Sequence, residues 1–262
     1  MNDLLKNTLL RAVHAGADLL QHYFEGTFEI QSKDSLNNLV TEVDKKAEEA
    51  IIEVIRAEFP EHFILSEEAC EMSTGSEYKW IIDPIDGTVN FAHGIPICCI
   101  SIGLEHNGVM KLGVVFNPFM NELFFAERGK GAFLNNRPLK VSNNDQLESA
   151  CLVTGFPYRW VEVHMDPISV FERFIRMGLP VRRLGSAAID LCWVAAGRFD
   201  GFWEYNLNPW DIAAGYLIIE EAGGRISNFN GDPYSVYDKQ TLATNGKIHE
   251  DMLKIINTPP IT

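Results

Sequence analysis

Trp80-Ile81-Ile82-Asp83-Pro84-Ile85-Asp86-Gly87-Thr88-Val89-Asn90-Phe91 is the stretch on which the reading of this chain turns. A strand-like run over Tyr78 to Ile82 ends by delivering two carboxylates three positions apart, then a glycine and a threonine. Magnesium takes hard oxygen ligands in a tight octahedron, and neighbouring carboxylates can bridge two such ions. The Ile85 carbonyl between the aspartates can add another oxygen. Gly87 lets the backbone approach a ligand closely, and Thr88 can open a helix whose free N–H groups face an anion. A metal and a phosphate can therefore meet at one corner of the chain. A plainer reading makes Asp83-Pro84 a turn and Asp86 a helix N-cap. Spacing alone does not choose between them.

Upstream of this stretch, apolar residues from Leu4 to Leu20 recur at helical spacing and predict a helix over about 3–24. A second helix is expected from near Thr41, with the stripe Val43, Ala47, Ala50, Ile51, Val54 and Ile55 and a stop at Phe59-Pro60. Strands are expected at His62 to Leu65, Ile97 to Leu104, Gly113 to Phe116 and Glu122 to Ala126. Short turns between them imply a largely antiparallel sheet. Beyond the polar segment Ser142 to Ser149 the rhythm changes. Strands at Cys151 to Thr154, Val181 to Leu184 and Phe202 to Tyr205 alternate with helices at Pro167 to Met177, from Ser186, and from Pro209 to Ala222, where Gly223-Gly224 stops the last. The expected division is an N-terminal α+β domain over 1–146 with most of the acids, and a C-terminal α/β domain over 147–262. Helices layered around two sheets is the architecture this pattern implies.

Composition bounds the function. The chain has 262 residues, enough for one large domain or two small ones, and its 46% hydrophobic and 22% charged content is that of a globular protein. Lys6, Arg11, His14 and Asp18 break any secretory h-region, and no apolar run approaches the roughly 20 residues that span a bilayer, so a cytoplasmic location is expected. The five cysteines form no C-x-x-C pair, and the seven histidines show no zinc spacing. A formal net charge of −14 repels phosphate backbones, so no direct nucleic-acid binding and no membrane partner are expected. The same charge suits a phosphate-ester substrate only if several acids hold divalent cations, which invert the local field.

Three further acids stand in comparable settings. Glu67 follows the strand ending at Leu65, although beside Glu68 it also reads as a loop carboxylate. Asp44, three residues after Thr41, imitates a capping box. Asp211 begins a helix, where a carboxylate also suits the dipole.

Taken in order, these segments resemble the inositol monophosphatase family, part of the lithium-sensitive, magnesium-dependent phosphatases. Leu39-Val40-Thr41-Glu42-Val43-Asp44 is similar to its L-V-T-x-x-D segment, and Leu65-Ser66-Glu67-Glu68 to its G-E-E, with serine for the usual glycine. Trp80 to Phe91 matches its first signature and Trp210-Asp211-Ile212-Ala213-Ala214-Gly215 its second. Gly185-Ser186-Ala187-Ala188, Gly197-Arg198-Phe199-Asp200-Gly201 and Glu221-Ala222-Gly223-Gly224 complete the set.

The resemblance implies a layered α-β-α-β-α fold, usually a homodimer, and two to three Mg2+ ions per subunit. It gives Glu67, Asp83 and the Ile85 carbonyl to a first ion, Asp83, Asp86 and Asp211 to a second, and Glu67 with waters to a weaker third. Asp44 and Thr88, with Glu67, would be catalytic, and Asp86, Gly87, Thr88, Ala187, Glu204 and Asp211 would contact substrate. Val89-Asn90-Phe91 replaces the K-E-F of the bisphosphate-nucleotide phosphatases, and Glu204, seven residues before Asp211, matches the acid that binds inositol hydroxyls. Asn208 stands where some animal members have histidine, and Thr154-Gly155-Phe156-Pro157-Tyr158 resembles the bacterial loop. The implied substrate is a small phosphate monoester, first myo-inositol monophosphate. Fructose bisphosphate, histidinol phosphate and phosphoadenosine nucleotides are the alternatives within the fold. A regulatory binding protein is the alternative outside catalysis.

Overall fold

The computed structural model describes residues 2–24, 26–32, 39–72, 75–157 and 166–258. The first half comprises α1 (Asn2–Tyr23), β1 (Ile30–Ser32), β2 (Leu39–Thr41), α2 (Glu42–Glu58), β3 (Phe63–Ser66), β4 (Cys70–Met72), β5 (Tyr78–Asp86) and α3 (Thr88–Ala92). There follow β6 (Cys99–His106), β7 (Val109–Asn117), β8 (Glu122–Glu127), β9 (Gly131–Leu134) and β10 (Arg137–Pro138). The second half comprises β11 (Leu152–Thr154), α4 (Pro167–Arg176), β12 (Val181–Arg182), α5 (Ala187–Ala195), β13 (Gly201–Tyr205), α6 (Pro209–Glu221), β14 (Arg225–Ser227), β15 (Gln240–Thr244) and α7 (His249–Ile256).

Two sheets organise the chain. The larger runs β10-β9-β8-β7-β6-β5-β3-β4 and is antiparallel except where β3 and β5 lie parallel. The smaller runs β12-β11-β13-β15-β14, with β11 parallel to both neighbours. Helices α1 and α2 bury Leu9, Val13, Ile51 and Ile55 against Trp80, Ile82 and Ile100 on one face of the large sheet. Helices α5 and α6 lie between the sheets, where Leu191, Ala213 and Leu217 share a core with Ile81, Val115, Phe202 and Ala243. Outside the small sheet, α4 and α7 pack Phe174 and Met252 on Trp203 and Leu242. The layers are therefore α-β-α-β-α, as the family resemblance implies.

Where sequence and structure differ, either burial or the shortness of the element is the reason. β15 is buried from Thr241 to Thr244 and so lacks the polar alternation of a half-exposed strand. No local sequence signal marks it, nor the short strands β1, β2, β4, β9, β10 and β14, nor α7. β5 continues four residues past the expected end at Ile82. β12 stops at Arg182, two residues before the expected Leu184. The loop read as Thr154 to Tyr158 ends with Tyr158 outside the described residues.

The central layer depends on small residues. A β-carbon on Gly103 would lie 2.9 Å from that of Ala213, and one on Gly113 would lie 2.9 Å from the Ala214 carbonyl oxygen. The alanines of the W-D-x-A-A-G segment thus let α6 sit directly on β6 and β7. Since backbone blocks the way, Gly113→Ala should destabilise the protein by about 1–3 kcal/mol, the usual cost of overpacking. Urea denaturation of the variant measures this directly.

Candidate active site

Side chains two apart on a strand share a face and those three apart do not. Asp83 and Asp86 should therefore point to opposite sides of β5. They do not, because β5 carries one extra residue. Asp83 pairs with Ser101 and Asp86 with Cys99, so three steps along β5 match two along β6. Pro84, which has no N–H to offer the ladder, falls inside this bulge. Ile85 joins the core beneath α1 and α2, while both carboxylates turn to the cavity beside the central helices.

Asp86 is anchored by α5. Its Oδ2 accepts from the Ser186 hydroxyl at 2.6 Å and the Ala188 N–H at 2.7 Å, so it caps the nine-residue α5 from another part of the chain. Asn90 reinforces this junction, its Nδ2 donating to the carbonyls of Ile97 (2.7 Å) and Leu184 (2.8 Å). Gly87 has φ +93°, and a β-carbon there would meet the Ile97 carbonyl at 2.9 Å. Only glycine satisfies both demands. The helix after it, α3, has five residues, so its dipole is small and any anion there depends on individual N–H donors.

Asp44 performs two tasks with two oxygens. Oδ2 accepts from the Thr41 N–H (2.8 Å) and hydroxyl (2.6 Å), completing the capping box of α2. Oδ1 lies 3.1 Å from the Thr88 hydroxyl, which is also 3.0 Å from the Ile85 carbonyl. The capping and functional readings of Asp44 are thus compatible. Glu67 sits in the turn after β3, where its N–H donates to the Ile82 carbonyl at 3.3 Å. The next residue is held from α2: the Glu68 N–H donates to buried Glu48 at 3.0 Å. Asp211 occupies the first turn of α6, and its Oδ2 accepts from the Asn208 N–H at 2.7 Å.

Glu67, Asp83, Ile85, Asp86, Gly87, Thr88, Ala187, Glu204 and Asp211 all line one cavity of about 320 Å³. Asp44 stands behind Thr88, fully buried. Residues not singled out from sequence also line the cavity, among them Arg183, Asp190 and Lys239. Ser186 opens α5 where the sequence places a helix start, but neither that position nor the G-S-A-A pattern gives any sign that its hydroxyl holds Asp86.

Electrostatics show what this gathering costs. Burial, then the charges of Glu67, Asp86 and Asp211, holds the Asp83 carboxyl well above the carboxylate range. Burial followed by the Asp86 and Glu67 charges does the same to Asp211. Burial also raises Asp86 and Asp44 to about 6, against the pull of their hydrogen bonds. The acids cannot all ionise without added positive charge. Their oxygens, with the Ile85 carbonyl, are the donor set that hard divalent ions take, so the residues fit magnesium in kind. Among the described residues no three His, Cys, Asp or Glu side chains are drawn into a ready-made ion cage. The acids line the cavity wall instead. The thiols of Cys98, Cys99 and Cys192 are pushed up by burial and are poor nucleophiles.

The model of the inositol monophosphatase family matches residues 1–258. The chain belongs to this family. Inositol monophosphatase relatives include an inositol-1-monophosphatase of Synechocystis sp., 45% identical over 88% of this chain and 81% of its own. A Nus factor SuhB of Pasteurella multocida is 40% identical over 98% and 96% respectively. The solved inositol monophosphatase of Anabaena (Nostoc) sp. superposes with a TM-score of 0.88 at 39% identity, covering 99% of this chain and 98% of that one. The chain is thus an enzyme of a phosphatase family with that family's fold. Among the described residues no helix is long and apolar enough to cross a membrane.

Glu204 offers a test of the cavity's electrostatics. Burial raises it from 4.5 to about 8, with Arg183 opposing and Asp86 adding to the rise. Between those values the folded protein keeps a proton that the unfolded chain releases. Its contribution to stability should therefore fall as pH rises from about 4.5 to about 8 and then level off. In metal-free protein, Glu204→Gln should be more stabilising at alkaline than at acid pH, as measured by urea denaturation at each pH.

Proposed function

We propose that this protein hydrolyses a small phosphate monoester with magnesium, and that its preferred ester is myo-inositol monophosphate. One observation carries the reading: the bulge in β5 presents Asp83 and Asp86 to the same cavity as Glu67 and Asp211, with the Asp44–Thr88 pair at its edge. Glu67, Asp83 and the Ile85 carbonyl would hold one ion, Asp83, Asp86 and Asp211 a second, and Glu67 with waters a third. Bound magnesium neutralises the ester oxygens and lowers the pKa of coordinated water.

The chain's own groups do the positioning. The single proton of Thr88 can go to Asp44 Oδ1, which leaves the hydroxyl's lone pairs free to accept from a water and hold it in line. Asp44 Oδ1 is then placed to receive the proton that leaves through Thr88. Backbone N–H groups at Gly87-Thr88 would cradle the phosphate. Glu204 and Ala187 would face the leaving alcohol. With cations offsetting the neighbouring negative charge that helps to hold its proton, Glu204 would ionise and accept charge-assisted bonds from adjacent hydroxyls. No thiol or imidazole nucleophile is needed. Family membership supports a cytoplasmic homodimer and lithium inhibition through the second ion site.

A regulatory role with a macromolecular partner is a second reading, favoured by the relative named Nus factor SuhB. Phosphate release from a panel of esters at ample magnesium separates the two. No release from any ester would sink the enzymatic reading.

Two substitutions probe the assignments. Asp83→Asn should lower magnesium-dependent turnover by more than the roughly 10- to 100-fold that losing an outer-shell partner costs, because it weakens two ion sites. Full activity would refute the shared ligand. Glu204→Gln should raise KM for inositol monophosphate by about 10-fold, in keeping with a lost charge-assisted bond. KM for nitrophenyl phosphate should move little, and equal shifts would mean that Glu204 does not read the polyol.

A further inference from the structure

Opposite Glu204 stands a residue with no side chain. β11 and β13 are parallel neighbours with Thr154 paired to Trp203, so Gly155, the next residue, comes alongside Glu204. The Thr154 hydroxyl donates to the Trp203 carbonyl at 2.6 Å and fixes the register at this point. Gly155 and Glu204 both line the cavity. A β-carbon built on Gly155 would lie 2.1 Å from Glu204 Oε1, 2.2 Å from Cδ and 2.2 Å from Oε2. The Glu204 carboxylate therefore lies in the space that any other residue at 155 would fill.

The backbone does not require glycine here, since Gly155 is absent from the positive-φ glycines. The nearest atoms to the added carbon are all at the far end of one flexible side chain. An alanine can thus be accommodated simply by swinging the Glu204 carboxylate away. Its value to the protein lies in where that carboxylate points rather than in packing or backbone freedom.

We propose that Gly155 is a positioning residue for substrate specificity, holding open the space from which Glu204 reads the hydroxyls of a polyol phosphate. The proposal rests on the phosphatase reading given above. Asp190 supports the class of leaving group. It is 1% exposed on the same cavity wall, and its Oδ1 has no hydrogen-bond partner among the described residues. A wall with two carboxyl groups offers several hydrogen-bonding oxygens to a leaving group rich in hydroxyls.

The test measures phosphate release from myo-inositol monophosphate and nitrophenyl phosphate by the wild type, Gly155→Ala, Glu204→Ala and the double variant. Gly155→Ala should fold with an unchanged thermal midpoint and raise KM for the inositol ester about 10-fold, matching loss of one charge-assisted bond. Its kcat on the aryl ester should not change. In the Glu204→Ala background, the Gly155 substitution should add nothing further, since the two act as one unit. An unchanged KM in folded Gly155→Ala would overturn the proposal. So would equal losses on both esters, or a loss that persists without Glu204. Wild-type protein that releases phosphate from neither ester would instead overturn the phosphatase reading, and this proposal with it.

Discussion

One residue too many in a β-strand sets the geometry on which the site depends. Strand alternation would send Asp83 and Asp86 to opposite faces of the large sheet, one into the apolar core under α1 and α2. The bulge between them reverses Asp86 and leaves Ile85 to fill that core. Once both carboxylates face the central layer, their partners follow from packing. α5 presents Ser186 and Ala188 to Asp86, and α6 brings Asp211 to the same cavity. Proline is usually excluded from a central strand. Here it occupies the one place in β5 where the ladder is already interrupted.

A second constraint follows from crowding like charges. Desolvation alone opposes ionisation of Asp83, and each neighbouring acid opposes it further. The fold tolerates this because several carboxylates have other work. Asp44 and Asp211 satisfy the first turns of α2 and α6, and Asp86 satisfies that of α5. The starts of α5 and α6 thus border one cavity, with that of α2 behind it, and their N–H groups partly offset the negative charge.

Much of this was legible in the sequence for identifiable reasons. The amphipathic stripes of α1 and α2 and the glycine stop after α6 carry strong local signals, and the ordered acids carry the family resemblance. Other features have no local signature. α6 is buried from Ile212 to Leu217 except at Tyr216, so hydrophobic periodicity places the helix without saying which face meets which sheet. Pro84 reads locally as a strand end, because a bulge is defined by the partner strand. The division of labour between the two oxygens of Asp44 requires Thr88, which lies 44 residues away. Gly155 is silent in sequence, since its meaning lies in the side chain that occupies its empty space.

The seat of α6 carries a wider consequence. This helix touches the large sheet through Ala213 and Ala214, shares the core of the small sheet, and carries Asp211 at its first turn. The site is therefore assembled by closure of the whole stack and not by any single loop. A fluctuation that lifted α6 from the large sheet would withdraw Asp211 from the other acids and relieve their mutual repulsion. A cation bound among those acids would resist the parting, acting as a rivet through the layers. Occupancy of the site and the protein's large-scale breathing would thereby be two readings of one equilibrium.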